Sequence, residues 1–528
     1  MNEMLTYLVK NAVIGRISRR EFMGRAAALG LTAAASNSLL AQAVSAAGPR
    51  QGGIIRFSTQ GGSTSDSLDP ALVTNTTGTS INRMWGEPLV ELAPHGGLEG
   101  KLADSWESSA DAMTWTFKVR SGVTFSNGKT LTATDVARTL ERHAGPDSKS
   151  GALGILRGID TIQSNGDTVV IQLKGANADL PYLLTDYHLM IQPDGGFDDP
   201  TAAIGTGPYI LKDVEMGVRV SAEKNPNYWG DLGHAAELEL LVINDNTARV
   251  AALGSGQVDL IDRVPPRTAH LIDRQPNITV RRSSGPGHYV FIAHCDTEPF
   301  SNYDLRLALK HGIDREEMLD KILSGFGTLG NDTPINASYP LYSALPQREY
   351  DPDKARFHFE KSGYAGGPIL LRTSDNSFPG APDAAALFQQ SLSKSGINIE
   401  IKREPNDGYW SEVWNKQPFC TSYWAGRSTQ DQMYSTAYQS TADWNDTRFK
   451  SESFDQLLIA ARAELDEATR QQMYADMGMI VRDEGGLICP MFNDWVDGTS
   501  DRIAGWVENT KGFGLMNNYA PLKMWVTE

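Results

Sequence analysis

Residues 114–136 read TWTFKVRSGVTFSNGKTLTATDV. Residues 114–119 alternate apolar and polar side chains, the pattern of a half-buried strand. Ser121-Gly122 then marks a turn. Val123-Thr124-Phe125 followed by Asn127-Gly128 is a strong hairpin signal, because Asn-Gly accepts the positive φ that tight turns need. Next, 134–143 (TDVARTLERH) opens on Thr134 as capping residue and spaces Val136, Ala137 and Leu140 for a helix. A β-rich unit with a packed helix is therefore expected here.

Outward from this stretch, residues 53–57 form a short β-type run. Residues 159–162 and 168–173 flank Asn165-Gly166 as a second hairpin. Strands are expected at 238–243, 258–261, 278–282 and 289–293, and a helix at 247–253. From residue 304 helices dominate: 305–312, 315–324, 353–362, 381–395, 454–464 and 467–484, with strands at 369–373 and 397–402. β-type segments return at 489–494, 496–497 and 524–526. The first half is thus β-rich, the second alternates α and β, and the C-terminus returns to the first lobe. Two α/β lobes joined by crossing strands enclose a cleft, and clefts between lobes are where solutes bind.

The chain has 528 residues, 40% apolar and 21% charged, enough for two to four domains with substantial cores. Its 64 acidic residues against 48 Lys and Arg give a net charge of −16. No basic cluster follows the first 25 residues, so a nucleic-acid partner is excluded. The three cysteines, Cys295, Cys420 and Cys489, form no CxxC and lie near no His pair, so neither a structural zinc site nor a disulfide scaffold is expected.

Residues 1–47 differ from the rest. Lys10, Arg16, Arg19, Arg20 and Arg25 precede an uncharged, Ala-rich segment, 26–47, as in a secretory signal peptide. Ala41-Gln42-Ala43 and Val44-Ser45-Ala46 are candidate cleavage sites. Ser18-Arg19-Arg20-Glu21-Phe22-Met23 resembles the twin-arginine export motif. The mature protein is expected to be periplasmic and monomeric.

Catalytic chemistry is not legible. The nine histidines form no HxxxH or HExxH, and no GxSxG elbow occurs. Gly61-Gly62-Ser63 has no following Lys, and Gly205-Thr206-Gly207-Pro208 puts a proline where phosphate cradling would need an N–H. No catalytic residue, metal or cofactor is expected.

Five blocks together resemble the extracytoplasmic solute-binding proteins of family 5, the dipeptide, oligopeptide and nickel-binding type of ATP-binding-cassette importers. They are Leu102-Ala103-Asp104-Ser105-Trp106-Glu107 with the stretch quoted first; Gly205-Thr206-Gly207-Pro208-Tyr209 with Asn225-Pro226-Asn227-Tyr228-Trp229-Gly230; Ala252-Leu253-Gly254-Ser255-Gly256-Gln257-Val258-Asp259-Leu260; Pro299-Phe300 with Leu305-Arg306-Leu307-Ala308-Leu309 and Gly312-Ile313-Asp314-Arg315; and Tyr350-Asp351-Pro352-Asp353-Lys354-Ala355. The resemblance implies an α/β, two-lobed periplasmic-binding-protein fold (type II, with an extra β-rich sub-domain) and a ligand cleft between the lobes. The expected division is a signal peptide at 1–47, a first-lobe core of 48–84, 232–303 and 490–528, the sub-domain at 85–231, and a second lobe at 304–489. It also implies a binding component that captures a peptide-like or other small polar organic solute for membrane permease subunits. The rival readings are a receptor for an anionic opine or sugar acid, and a secreted hydrolase on this scaffold.

In peptide-binding members of that family a Trp-x-Ala/Gly-Asp segment supplies an Asp for the ligand's ammonium. Here the segment is Trp424-Ala425-Gly426-Arg427, with a base in place of the acid. Arg427 suits a carboxylate, which a guanidinium holds bidentately, and Asp431 could meet an amine; alternatively, Arg427 simply pairs with Asp431 at the surface. Tyr409, Trp410, Trp414, Tyr423, Trp424, Tyr434 and Tyr438 crowd the same stretch, of which Tyr409, Trp410, Tyr423 and Trp424 are the candidate cleft residues. Asp375 and Asn376 follow strand 369–373, where loops reach ligands.

Overall fold

The computed structural model describes residues 3–13, 17, 19–32, 35–36, 39, 48–94, 96–375, 377–405, 409–508 and 511–527. It is the two-lobed α/β fold, built on one mixed sheet of 11 strands that runs through both lobes. Two long antiparallel strands, Ile278–Ala293 and Leu487–Ser500, form its spine. On one side Phe419–Trp424, Ile369–Thr373 and Ile399–Arg403 add the second lobe's strands. On the other Leu260–Ile261, Ile54–Thr59 and Glu237–Val242 add the first lobe's.

Arg219–Lys224 and Tyr209–Glu215 extend the sheet beyond Glu237–Val242. A boundary at 231 assigns these two strands to the sub-domain, but their ladder bonds join them to the first lobe. The sub-domain's own sheet has four strands, Ala103–Ser108, Thr114–Val119, Thr168–Leu173 and Ile159–Asn165, in that order. Phe117, Ile171 and Leu140 meet in its core, where alternation on the strands faces the helical stripe.

That helix is Ala133–Ala144. Its cap is Thr132, not Thr134: the Thr132 hydroxyl accepts from the Asp135 N–H while Asp135 accepts from the Thr132 N–H, a capping box. Beyond Phe125, the Asn127-Gly128 turn closes only a single bridge, Thr124 to Thr130, with Gly128 at φ 87°. In the second lobe Asp314, Asp351 and Asp466 cap their helices as aspartates do, each accepting an N–H three residues on.

Gly205 and Gly207 lie against the backbone of Trp85. A Cβ on Gly207 would sit 2.5 Å from the Trp85 carbonyl carbon, so the absence of a side chain permits this contact. The neighbouring Thr206 hydroxyl, the Tyr228 hydroxyl and the Trp229 indole N–H all donate to buried Glu87 at 2.8 Å. Burial raises the Glu87 pKa despite Lys101 at 3.3 Å. Asn225-Pro226-Asn227-Tyr228-Trp229 is thus scaffold that ties sub-domain to lobe.

Candidate functional site

A cleft of about 830 Å³ opens between the sub-domain and the second lobe. The sub-domain wall sets the small residues Gly151, Gly154, Gly158, Gly175 and Ala176 among larger ones that include Ile155, Arg157, Leu180 and Leu183. Small residues there leave room for a bulky solute. Facing them are Arg427, Asp431, Ser435, Trp444 and Arg462 of the second lobe. A second pocket, of about 60 Å³ among Asn331, Thr333, Gln347 and Gln430, is water-sized rather than solute-sized.

Arg427 follows strand Phe419–Trp424 and stands two residues before Thr429, the cap of helix Gln430–Ala437. Its backbone N–H donates to the Tyr339 hydroxyl at 3.1 Å, and its Nη1 to the Gly426 carbonyl at 2.7 Å. The guanidinium lies over the Trp424 ring, 5.5 Å from its centroid. Gly426 takes φ 83° and packs on Pro286, which fixes the backbone that presents Arg427. Among the described residues no carboxylate ion-pairs with Arg427, and burial lowers its pKa.

Asp431 does not pair with Arg427. Arg462 Nε donates to its Oδ1 at 2.7 Å, and the Ser435 hydroxyl, itself hydrogen-bonded to Arg462, points to the same oxygen at 3.3 Å. Burial still raises the Asp431 pKa. Its charge is taken up inside the protein, which removes it as a ready partner for a ligand amine.

The remaining candidates separate. Trp424 is buried beneath Arg427, and its indole donates to Asp446 at 3.2 Å. Tyr423, next along the strand, points the other way and is exposed, edge-on to Trp410 at 5.6 Å. Trp410 is half-buried against Trp414 and Tyr409. Tyr409 is core: its hydroxyl donates to the Thr421 carbonyl at 2.7 Å. Tyr434 and Tyr438 are core as well. Asp375 is ion-paired with Arg403 and does not line the cleft. Asn376 lies outside the described residues.

Trp444 is the cleft residue that sequence reasoning missed. It is 51% exposed, yet its ring is braced edge-on by Trp414 at 5.9 Å and tilted on Trp424 at 6.0 Å. Its setting, Ala442-Asp443-Trp444-Asn445-Asp446, was the available signal: a lone indole among polar residues.

Residues 97–446 match the family described as Bacterial extracellular solute-binding proteins, family 5 Middle. The chain belongs to that family. As a family 5 protein it is the solute-binding component of an ATP-binding-cassette importer. It is similar to the glutathione-binding protein GsiB of Pectobacterium atrosepticum, 26% identical over 79% of this chain and 84% of that protein. Among solved structures it is similar in fold to DppA from Helicobacter pylori in complex with the peptide STSA (TM-score 0.72, 23% identity, 91% of this chain and 99% of that one). It is also similar to AgaA from A. tumefaciens R10 in complex with agropinic acid (TM-score 0.71, 24% identity, 90% and 99%). These relatives are binding proteins rather than enzymes.

Proposed function

We propose that this family 5 protein captures an anionic organic solute in the cleft and delivers it to its permease. The carrying observation is Arg427: a guanidinium in the cleft with no carboxylate partner, beside an Asp431 already neutralised by Arg462. A buried or half-buried cation selects an anion, because mispairing leaves a desolvated charge uncompensated. Trp444 offers a flat apolar face in the same cleft, whose volume of about 830 Å³ leaves space for more than a single amino acid. The relatives named for glutathione and agropinic acid are in keeping with an organic anion. The protein works as a monomer in the periplasm, reached by the twin-arginine route through Arg19 and Arg20. The candidate cleavage sites at 41–46 lie outside the described residues; among those described, no helix is long and apolar enough to cross a membrane.

Native mass spectrometry of protein purified from its own host tests this directly. A retained solute bearing a carboxylate or another anion is the expected result; a cationic or neutral solute overturns the anion reading. Thermal shift against that solute should show reversible stabilisation with the solute unchanged.

A further inference from the structure

Asp179 stands just before the short helix Leu180–Leu183 of the sub-domain, where an aspartate ordinarily caps its own helix. Its carboxylate makes no such cap. It reaches instead into the second lobe. Arg470 Nη1 donates to Asp179 Oδ1 at 3.0 Å, and the Tyr474 hydroxyl donates to Oδ2 at 3.3 Å. The Asp179 and Arg470 side chains are only 7% and 6% exposed. One residue earlier, the Ala178 N–H donates to the Arg462 carbonyl at 2.8 Å, a backbone bond between the same two bodies. Arg462 is the residue whose guanidinium holds Asp431 at the cleft wall.

We propose that Asp179 and Arg470 form an interlobe latch that sets the closed register of the cleft. The pair engages when the sub-domain meets the second lobe, and Asp179 acts on the solute only by positioning that wall. With the lobes apart, both charges are solvated. Bringing them together costs desolvation that offsets most of their attraction, so the net gain is small and the contact can break in each transport cycle. Closure in a wrong register would bury Arg470 against no acid, which is far costlier. The latch therefore contributes registration more than adhesion. It stands independently of the charge of the solute.

Hydrogen exchange of the solute-free, full-length protein tests it, because the Ala178 amide is protected only while the lobes touch. In the unsubstituted protein Ala178 should be protected. Asp179→Asn should raise its exchange rate by about tenfold, while the amides of the four-stranded sheet keep their protection. The charge-reversed pair, Asp179→Arg with Arg470→Asp, should restore it. Small-angle scattering should give a larger radius for Asp179→Asn than for the unsubstituted protein. An unprotected Ala178 in the unsubstituted protein, unchanged protection in Asp179→Asn, or no recovery in the reversed pair overturns the latch.

Discussion

The indole N–H of Trp414 donates to Asp446 Oδ2 at 2.9 Å. Trp424 reaches the same oxygen, so one buried carboxylate anchors both tryptophans that brace Trp444. Among the described residues no cation pairs with Asp446, and burial pushes it up to about 7, the indole bonds only partly opposing this. The unfolded chain releases that proton near pH 4. Between about pH 4 and pH 7 folding therefore takes up a proton. Stability is full below that window and falls as pH rises through it, by at most about 1.4 kcal/mol per pH unit. Asp446→Asn keeps an acceptor for the indoles and removes the charge. Its melting temperature should exceed that of the unsubstituted protein at pH 8 and approach it at pH 5. Thermal scans at both values decide; a deficit that grows with pH would contradict the assignment.

Arg427→Ala should weaken solute binding by about 2–5 kcal/mol, the cost of stranding a desolvated anion. The ligand-free melting temperature should hardly move, since among the described residues the Arg427 side chain makes one hydrogen bond, to the adjacent carbonyl. Calorimetry with the solute recovered from the host reads the first effect and thermal scanning the second. Retained affinity would remove Arg427 from the site.

Asp332 is fully buried, and both its oxygens accept from Arg315 Nη2 at 2.7 Å, with Arg348 Nε at 2.9 Å. Burial alone would raise its pKa, but Arg315, Arg348 and Lys310 together hold it below the usual range. Asp332→Ala would leave these cations uncompensated and should cost about 3–5 kcal/mol of stability. Urea denaturation monitored by tryptophan fluorescence measures it; a loss under 1 kcal/mol would mean the cluster relaxes to solvent.

Replacing Arg19 and Arg20 together by Lys should stop export if the twin-arginine route is used. Fractionation would then find the precursor in the cytoplasm; normal periplasmic levels would assign export to the general secretory route.

Local signals in the sequence were faithful where the cause was local. Helix Glu467–Glu484 has the predicted limits because Asp466 caps it and Gly485 ends it. Strand Ile369–Thr373 likewise follows its apolar pattern. Ile278–Ala293 read as two strands because Gly285-Pro286-Gly287 interrupts the pattern; the ladder instead absorbs the proline as a register shift between Ser284 and His288. Phe419–Trp424 read only as an aromatic-rich stretch, since a strand buried between two others loses the two-residue alternation. Arg427 lines the cleft, where its place after Trp424-Ala425-Gly426 led one to look for it. The fate of Asp431 is not legible in the sequence, because its partner Arg462 is 31 residues away. The burial of Tyr409 is illegible for the same reason: its hydroxyl donates to a carbonyl 12 residues on, a pairing that no pattern reveals.

Leu487–Ser500 lies in the middle of the large sheet, between Ile278–Ala293 and Leu260–Ile261, yet it is among the last strands of the chain. Until the ribosome has released that segment, the strands on either side have no common neighbour and both lobes expose unfinished edges. Assembly of the receptor's central sheet therefore waits on this late strand. A chain truncated before residue 487 should remain a substrate for chaperones and proteases, because the strands on both sides of the gap would keep open edges.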